Sequence, residues 1–257
     1  MSLHVLSHVP QNPTLAPPVL LVHGAFTNAE CWSHFLEDFE QHGIEVHALS
    51  LRGHGKSGGL LDASGVFEYV SDIRHVAKQL SRPPVLVGHS MGGYLVQLYA
   101  RMYPLESMVL MASLPPWGLG AVLGALAWRN PEDWWRFLQY SWQPSSLEPE
   151  DSAWKIVLGT APDSRWVKRW EPQRESLRSA WELSIPLLPF PLRPPKTLVL
   201  GATGDRLIAP SVVQATAAYY DAQLEWFEIQ GHAMMLDREW RQVSAVLRAW
   251  VMPTGSA

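Results

Sequence analysis

Ten residues constrain this chain more than any others: Val85-Leu86-Val87-Gly88-His89-Ser90-Met91-Gly92-Gly93-Tyr94. The apolar run breaks at Gly88 and passes straight into a helical pattern, so it reads as strand, sharp turn, helix. Ser90 stands at the apex with a glycine two residues to either side. A serine held in such a turn projects its hydroxyl outward from a strained backbone, and the flanking strand and helix come too close for side chains at 88 and 92. That spacing is what a nucleophile elbow needs; taken alone, the pentapeptide also fits a tight strand-to-helix packing turn in another α/β protein.

The surrounding pattern supplies a sheet for the elbow. Val5–Val9 reads as an edge strand. Val19–Val22, 45–50, 85–89, 108–112, 197–200 and 224–229 read as further strands, several of them continuous apolar runs of the kind buried on both faces of a parallel sheet. Helical spacing fills the gaps at Val66–Leu80, 94–102, Pro210–Tyr220 and Trp240–Trp250. Thr27-Asn28-Ala29-Glu30 has the spacing of a capping box and predicts a helix from there to Gln41. Strands alternating with helices predict an α/β fold with a mostly parallel, doubly wound sheet.

Composition is uneven in one place. Nine of the 13 tryptophans fall between Pro115 and Arg193, where the alternation of strand and helix lapses. The expected organisation is a core of residues 1–114 and 194–257 with a mostly helical cap, 115–193, inserted in it. The tryptophans are expected to glue the cap, and Trp117, where the chain passes into it, to line a pocket. The charges there, Arg129, Arg136, Arg165, Lys168, Arg169 and Arg174, read as solvent-facing.

A serine hydroxyl needs a positioned base, and the base needs a partner that fixes its tautomer. Nine of the ten histidines precede Ser90; only His232 lies in a loop directly after the last strand, where a doubly wound sheet delivers residues to its carboxyl edge. Asp205 stands just beyond the preceding strand. Its rivals are Glu228, inside a strand pattern, and Asp237, after the histidine. Two oxyanion donors are expected: the Met91 N–H at the start of the helix behind Ser90, and the Ala25 N–H in the His23-Gly24-Ala25-Phe26 loop, with Phe26 beside the substrate.

Other chemistries fit less well. Gly55-Lys56-Ser57 tempts a phosphate-loop reading, but that motif needs glycine where Ser50 stands. His23, His54 and His89 lack metal-ligand spacing and read as local packing and hydrogen-bonding residues, so no metal or other cofactor is expected. With 24 acidic and 20 basic residues dispersed along the chain, nothing predicts nucleic-acid binding. No apolar run is long enough for a membrane span, no leader pattern opens the sequence, and Cys31 is the only cysteine, which makes the cytoplasm the expected compartment. The sequence fixes no oligomeric state.

Taken together, His23-Gly24, Arg52-Gly53-His54-Gly55, Gly88–Gly92, Asp205-Arg206 and Gly231-His232 resemble the α/β-hydrolase family, from about Val19 to the C-terminus. The order serine, aspartate, histidine is that family's. The resemblance implies a catalytic triad of Ser90, Asp205 and His232, a cap between the strands ending near Ala112 and beginning near Thr197, and a small-molecule ester as substrate, with an apolar acyl or aromatic group. It also admits carbon–carbon bond hydrolases, lactonases, cofactor-free perhydrolases, and a receptor that keeps the fold and senses a ligand. Branches with aspartate at the elbow do not fit Ser90. The resemblance departs in one respect, an N-terminal stretch too short for a full first hairpin.

Overall fold

The computed structural model describes residues 1–142, 157, 173–189 and 194–252. Seven strands form one sheet: β1 (His4–His8), β2 (Val19–Val22), β3 (Val46–Ser50), β4 (Val85–His89), β5 (Ser107–Met111), β6 (Lys196–Ala202) and β7 (Gln223–Phe227). Their order is β1-β3-β2-β4-β5-β6-β7, all parallel except β1, which runs antiparallel to β3 at the edge. The elbow strand β4 is central, between β2 and β5, with Val22 opposite Gly88 and His89 opposite Met111. Parallel pairing puts the carboxyl ends of β2, β4, β5, β6 and β7 along one edge, and every candidate catalytic residue follows one of those ends.

Alternation along each strand splits the core into two layers. Val19 and Leu21, Val85 and Val87, and Leu198 and Leu200 face the layer of helix α1 (Ser33–Gln41) and the C-terminal helix, α8 (Trp240–Val251). Leu20 and Val22, Leu86, and Val199 face α2 (Val66–Ala77), α3 (Met91–Met102) and α7 (Pro210–Tyr220) on the opposite side. All these strand positions are buried. Truncating one of the leucines to alanine is expected to cost about 2–5 kcal/mol.

The Thr27 capping box does not form. Asn28 caps a short 3₁₀ turn, Ala29–Trp32, by accepting from the Glu30 amide, while the Thr27 hydroxyl donates to the Gly24 carbonyl. The Asn28 carbonyl oxygen takes the Glu30 amide, and the Thr27 hydroxyl is engaged by the loop beside β2. The α-helix proper starts only at Ser33. The last strand also ends early, at Phe227, because Ile229 takes φ 67° and turns the chain into the His232 loop.

Between β5 and β6 the chain makes helices α4 (Leu119–Arg129), α5 (Pro131–Trp142) and α6 (Leu177–Glu182). Trp154, Trp166, Trp170, Arg165, Lys168 and Arg169 lie outside the described residues. Three of the tryptophans expected to glue this segment do not, Trp128 being 90% exposed, Trp181 72% and Trp135 57%, whereas Trp117 and Trp134 are half-buried. Helix geometry gives the reason for Trp128: Leu119, Val122, Leu123 and Leu126 share one face, and Trp128 sits about 200° beyond Leu126. Leucine and valine fill the inner face.

No helix among the described residues is long and apolar enough to cross a membrane.

Candidate active site

Ser90 occupies the turn between β4 and α3 with φ 52° and ψ −116°, a region that costs a non-glycine residue ~1–3 kcal/mol. Its surroundings hold it there. The Ser90 amide donates to Met111 O at the end of β5 (3.1 Å), and the Ser90 carbonyl accepts from the amides of Gly93 and Leu114. A Cβ on Gly88 would lie 2.6 Å from the Gly93 Cα, and one on Gly92 would lie 2.5 Å from His23 O. The two glycines of the motif are therefore steric requirements of strand–helix contact.

Asp205 and His232 meet because the loops after β6 and β7 are sewn together. Thr203 N donates to Phe227 O, Gly204 N to Gln230 O and Ile229 N to the Thr203 hydroxyl. This brings His232 Nδ1 to 2.9 Å from Asp205 Oδ2, with both side chains buried. The other carboxylate oxygen, Oδ1, accepts from the amides of Leu207 (2.8 Å) and Ile208 (2.9 Å), so the carboxylate is oriented before it meets the imidazole. Its rival Asp237 is also buried, and its Oδ2 accepts from Gly231 N at 3.2 Å. Asp237 thus braces the loop that carries the histidine, and Asp205 contacts the ring.

Ser90 and His232 both line a cavity of about 430 Å³ at this edge of the sheet, within the usual range for small-molecule sites. Ala25, Phe26 and Met91 line it as well, on the wall where oxyanion donors were expected. Phe26 takes φ 63° and meets Phe137 edge-on, with ring centroids 6.2 Å apart. Trp117 is not among the lining residues; it sits half-buried in the turn before α4. The remaining wall is mostly aliphatic; Arg174 and Glu175 also line it, and Leu119, Val122, Leu123 and Leu126 of α4 are prominent in it. Their i, i+3, i+4, i+7 spacing is present in the sequence, where the tryptophans draw attention away from it.

The three histidines read as local bonding residues have that role. His23 bridges the Gly24 carbonyl (2.8 Å) and the Leu51 amide (3.1 Å), and burial, with His54 nearby, pushes its pKa down to about 3. His54 contacts Arg52 O through Nδ1 and Glu175 Oε2 through Nε2. His89 Nε2 is 3.0 Å from His232 O, and burial together with the neighbouring His232 holds it neutral, far below its ordinary pKa.

Two carboxylates that sequence reasoning did not single out fasten the β5–β6 segment to the core. Glu175, in the cavity wall, accepts at Oε1 from the Tyr69 hydroxyl, the Ser176 amide and the Ser179 hydroxyl, all at 2.9 Å, besides its contact with His54. Burial alone would raise its pKa, but the His54, Ser176 and Tyr69 bonds outweigh burial and lower it. Asp133, fully buried in α5, pairs with Arg206 at 2.7 Å, next to Asp205. A pairing 121 residues apart, such as Glu175 with His54, leaves no local spacing to read.

The alpha/beta hydrolase family model matches residues 19–246. A monoacylglycerol lipase of Mycolicibacterium smegmatis is 37% identical over 106 residues, 38% of this chain and 37% of that protein. A bifunctional esterase/perhydrolase of Acinetobacter calcoaceticus is 32% identical over 108 residues, 40% of this chain and 39% of that protein. The chain thus spans about two fifths of the length of the curated relatives it matches. An esterase structure from Exiguobacterium antarcticum superposes with a TM-score of 0.71 at 19% identity, covering 97% of this chain and 95% of that one. A match over residues 19–246, on a seven-stranded sheet with a serine elbow at its centre, means that this chain belongs to the alpha/beta hydrolase family.

Proposed function

We propose that the protein is a serine esterase acting on neutral esters with an apolar acyl or aromatic group. The observation that carries this reading is the Asp205–His232 hydrogen bond at the mouth of an aliphatic cavity that the strained Ser90 turn also enters. In the first half-reaction the Ser90 hydroxyl attacks the ester carbonyl, His232 takes its proton, and the tetrahedral oxyanion is stabilised by the Met91 and Ala25 N–H groups. Collapse expels the alcohol, which receives the proton from His232 and leaves an acyl-enzyme. Water, deprotonated by His232, then attacks the acyl carbonyl and regenerates Ser90. Asp205 holds the imidazole in the tautomer that can accept at Nε2, and stabilises the imidazolium. Residues 115–193 act as the cap that closes the cavity.

The lipase and esterase activities of the two relatives support ester hydrolysis. The Acinetobacter relative's second activity favours one alternative, peracid formation by the same residues when peroxide replaces water.

A series of p-nitrophenyl esters of graded acyl length tests the reading, with Ser90→Ala as control. Hydrolysis is expected to fall ~10⁶-fold in the variant, and a fluorophosphonate to label Ser90 alone. Wild-type turnover in Ser90→Ala, or an adduct on another residue, sinks the triad. Near-zero turnover of every ester, with thermal stabilisation by ester-like ligands, would favour a receptor.

A further inference from the structure

His89 is the last residue of β4 and immediately precedes the elbow. Its Nε2 lies 3.0 Å from the backbone carbonyl of His232, 143 residues away in sequence. A carbonyl only accepts, so Nε2 carries the proton and donates it. Nδ1 is then a bare lone pair; it is buried, with no hydrogen-bond partner among the described residues, beside Gly24, where a Cβ would stand 2.8 Å from it. The His89 and His232 rings are 4.8 Å apart at 52°, and the Trp32 ring meets His89 edge-on from another side.

We infer that His89 is a positioning residue for the proposed hydrolysis, its Nε2–H fixing the His232 main chain and hence the height of the catalytic imidazole over Ser90. The inference rests on the Ser90–His232 reading of the site. The geometry is economical: one rigid ring joins the residue adjoining the nucleophile to the backbone of the base, so the two cannot drift apart independently. The His232 carbonyl accepts a second bond, from Met234 N at 3.0 Å, so this peptide is held from both the elbow and its own turn. The ring must also be neutral to do this well. A second positive charge 4.8 Å from His232 would oppose the imidazolium that forms there during proton transfer, and burial and the proximity of His232 keep His89 uncharged. The absence of an acceptor at Nδ1 among the described residues is the counterpart of that arrangement, because an acceptor there would compete for the proton that Nε2 has to give.

The test compares His89→Phe, which keeps a ring and loses the donor, with His89→Gln, whose amide nitrogen reaches the place of Nε2. With a p-nitrophenyl ester, His89→Phe is expected to lose about 10²-fold in kcat with KM within twofold, the effect of a misplacement near 1 Å. His89→Gln should recover most of that loss. Full kcat in His89→Phe, or equal losses in both variants, overturns the inference. A wild-type measurement covers the case in which His89→Phe does not fold: ¹⁵N-histidine NMR, with His89 assigned by its absence in His89→Gln, should show the Nε2–H tautomer from pH 5 to 8. An Nδ1–H tautomer or an imidazolium in that range overturns it. Ser90→Ala separates the two failures, since retained hydrolysis there defeats the triad itself, whereas full kcat in His89→Phe defeats only the positioning role.

Discussion

The carboxyl edge of the sheet and the proposed cap above it draw on backbone and side-chain bonds in different proportion. At the edge, backbone groups position the chemistry: two amides orient Asp205, strand-end amides and carbonyls fix Ser90, and the loops carrying Asp205 and His232 are joined through main-chain pairs. The proposed cap relies more on side chains, Glu175 to His54 and Tyr69 and Asp133 to Arg206, beside two main-chain bonds to the core, Gln173 N to Phe26 O and Ala233 N to Val157 O. Backbone bonds tolerate almost any side chain that fits, so the edge can be shared across a family. Side-chain fastenings and an aliphatic wall change with single substitutions.

The largest expected effect is at the edge. Asp205→Asn should lower kcat ~10⁴-fold, because the amide favours the wrong imidazole tautomer and leaves the imidazolium unsupported. Asp237→Asn alters the acceptor of the Gly231 amide, away from the imidazole ring, and a loss of about tenfold or less is expected. Steady-state kinetics of the two purified variants decide the matter. A reversal of the two would make the loop brace the catalytic acid.

Acid should separate the two regions next. His23 and His89 are buried at the edge with lowered pKa values, so the folded chain stays neutral there while the unfolded chain takes up protons below about 6.5. Their stabilisation is therefore complete above pH 6.5 and lost as pH falls toward their folded values, about 3 for His23. Each contributes a slope of about 1.4 kcal/mol per pH unit in that window. Glu175, whose pKa is lowered from the carboxylate range, adds its loss only below about 4.5. Urea unfolding between pH 8 and 5 should show the slope, reduced by one proton in His23→Asn. A profile flat from pH 7 to 5 would mean that these rings are charged in the folded protein.

Within the cap, Glu175→Gln leaves a neutral amide among four donors, with an NH₂ facing one of them. A loss of about 1–3 kcal/mol in stability is expected, with a rise in KM and a smaller change in kcat, since the wall moves and the triad does not. Thermal melts and kinetics on a medium-chain ester measure both. Equal falls in kcat and kcat/KM, with KM unchanged, would place Glu175 in the chemistry.

The same contrast explains what could be read from the chain. The elbow was legible because Gly88 and Gly92 are demanded by contacts within a few residues and with the neighbouring strand end, and such demands leave a fixed spacing. Asp205 and His232 were legible because strand ends can be counted. Glu175, Asp133 and the bond from His89 to His232 join positions 121, 73 and 143 residues apart with no pattern around them. The Thr27 capping box misled because a local spacing offered two competent caps, and contact with the Gly24 carbonyl selected Asn28.

Trp117 gives the smallest expected effect. Tryptophan carries a large apolar surface, and its place where the chain leaves the core made it the natural pocket wall; the cavity is bounded instead by the aliphatic face of α4 and by Phe26 and Phe137. Gly118 N reaches back to Pro115 O at 3.0 Å and Leu119 N to Leu183 O at 2.8 Å, closing the turn so that Trp117 stays outside the lining while Leu119 enters it. Trp117→Ala should therefore leave the ranking of p-nitrophenyl esters by acyl length within twofold of wild type. Leu126→Ala, which enlarges the cavity from a buried position, should shift the preference toward longer chains by up to about tenfold per substrate step. The two variants assayed side by side on the same ester series sharpen the comparison: a shift at Trp117 equal to that at Leu126 would put the tryptophan back in the wall, and no shift at Leu126 would mean that acyl chains bind elsewhere than against α4.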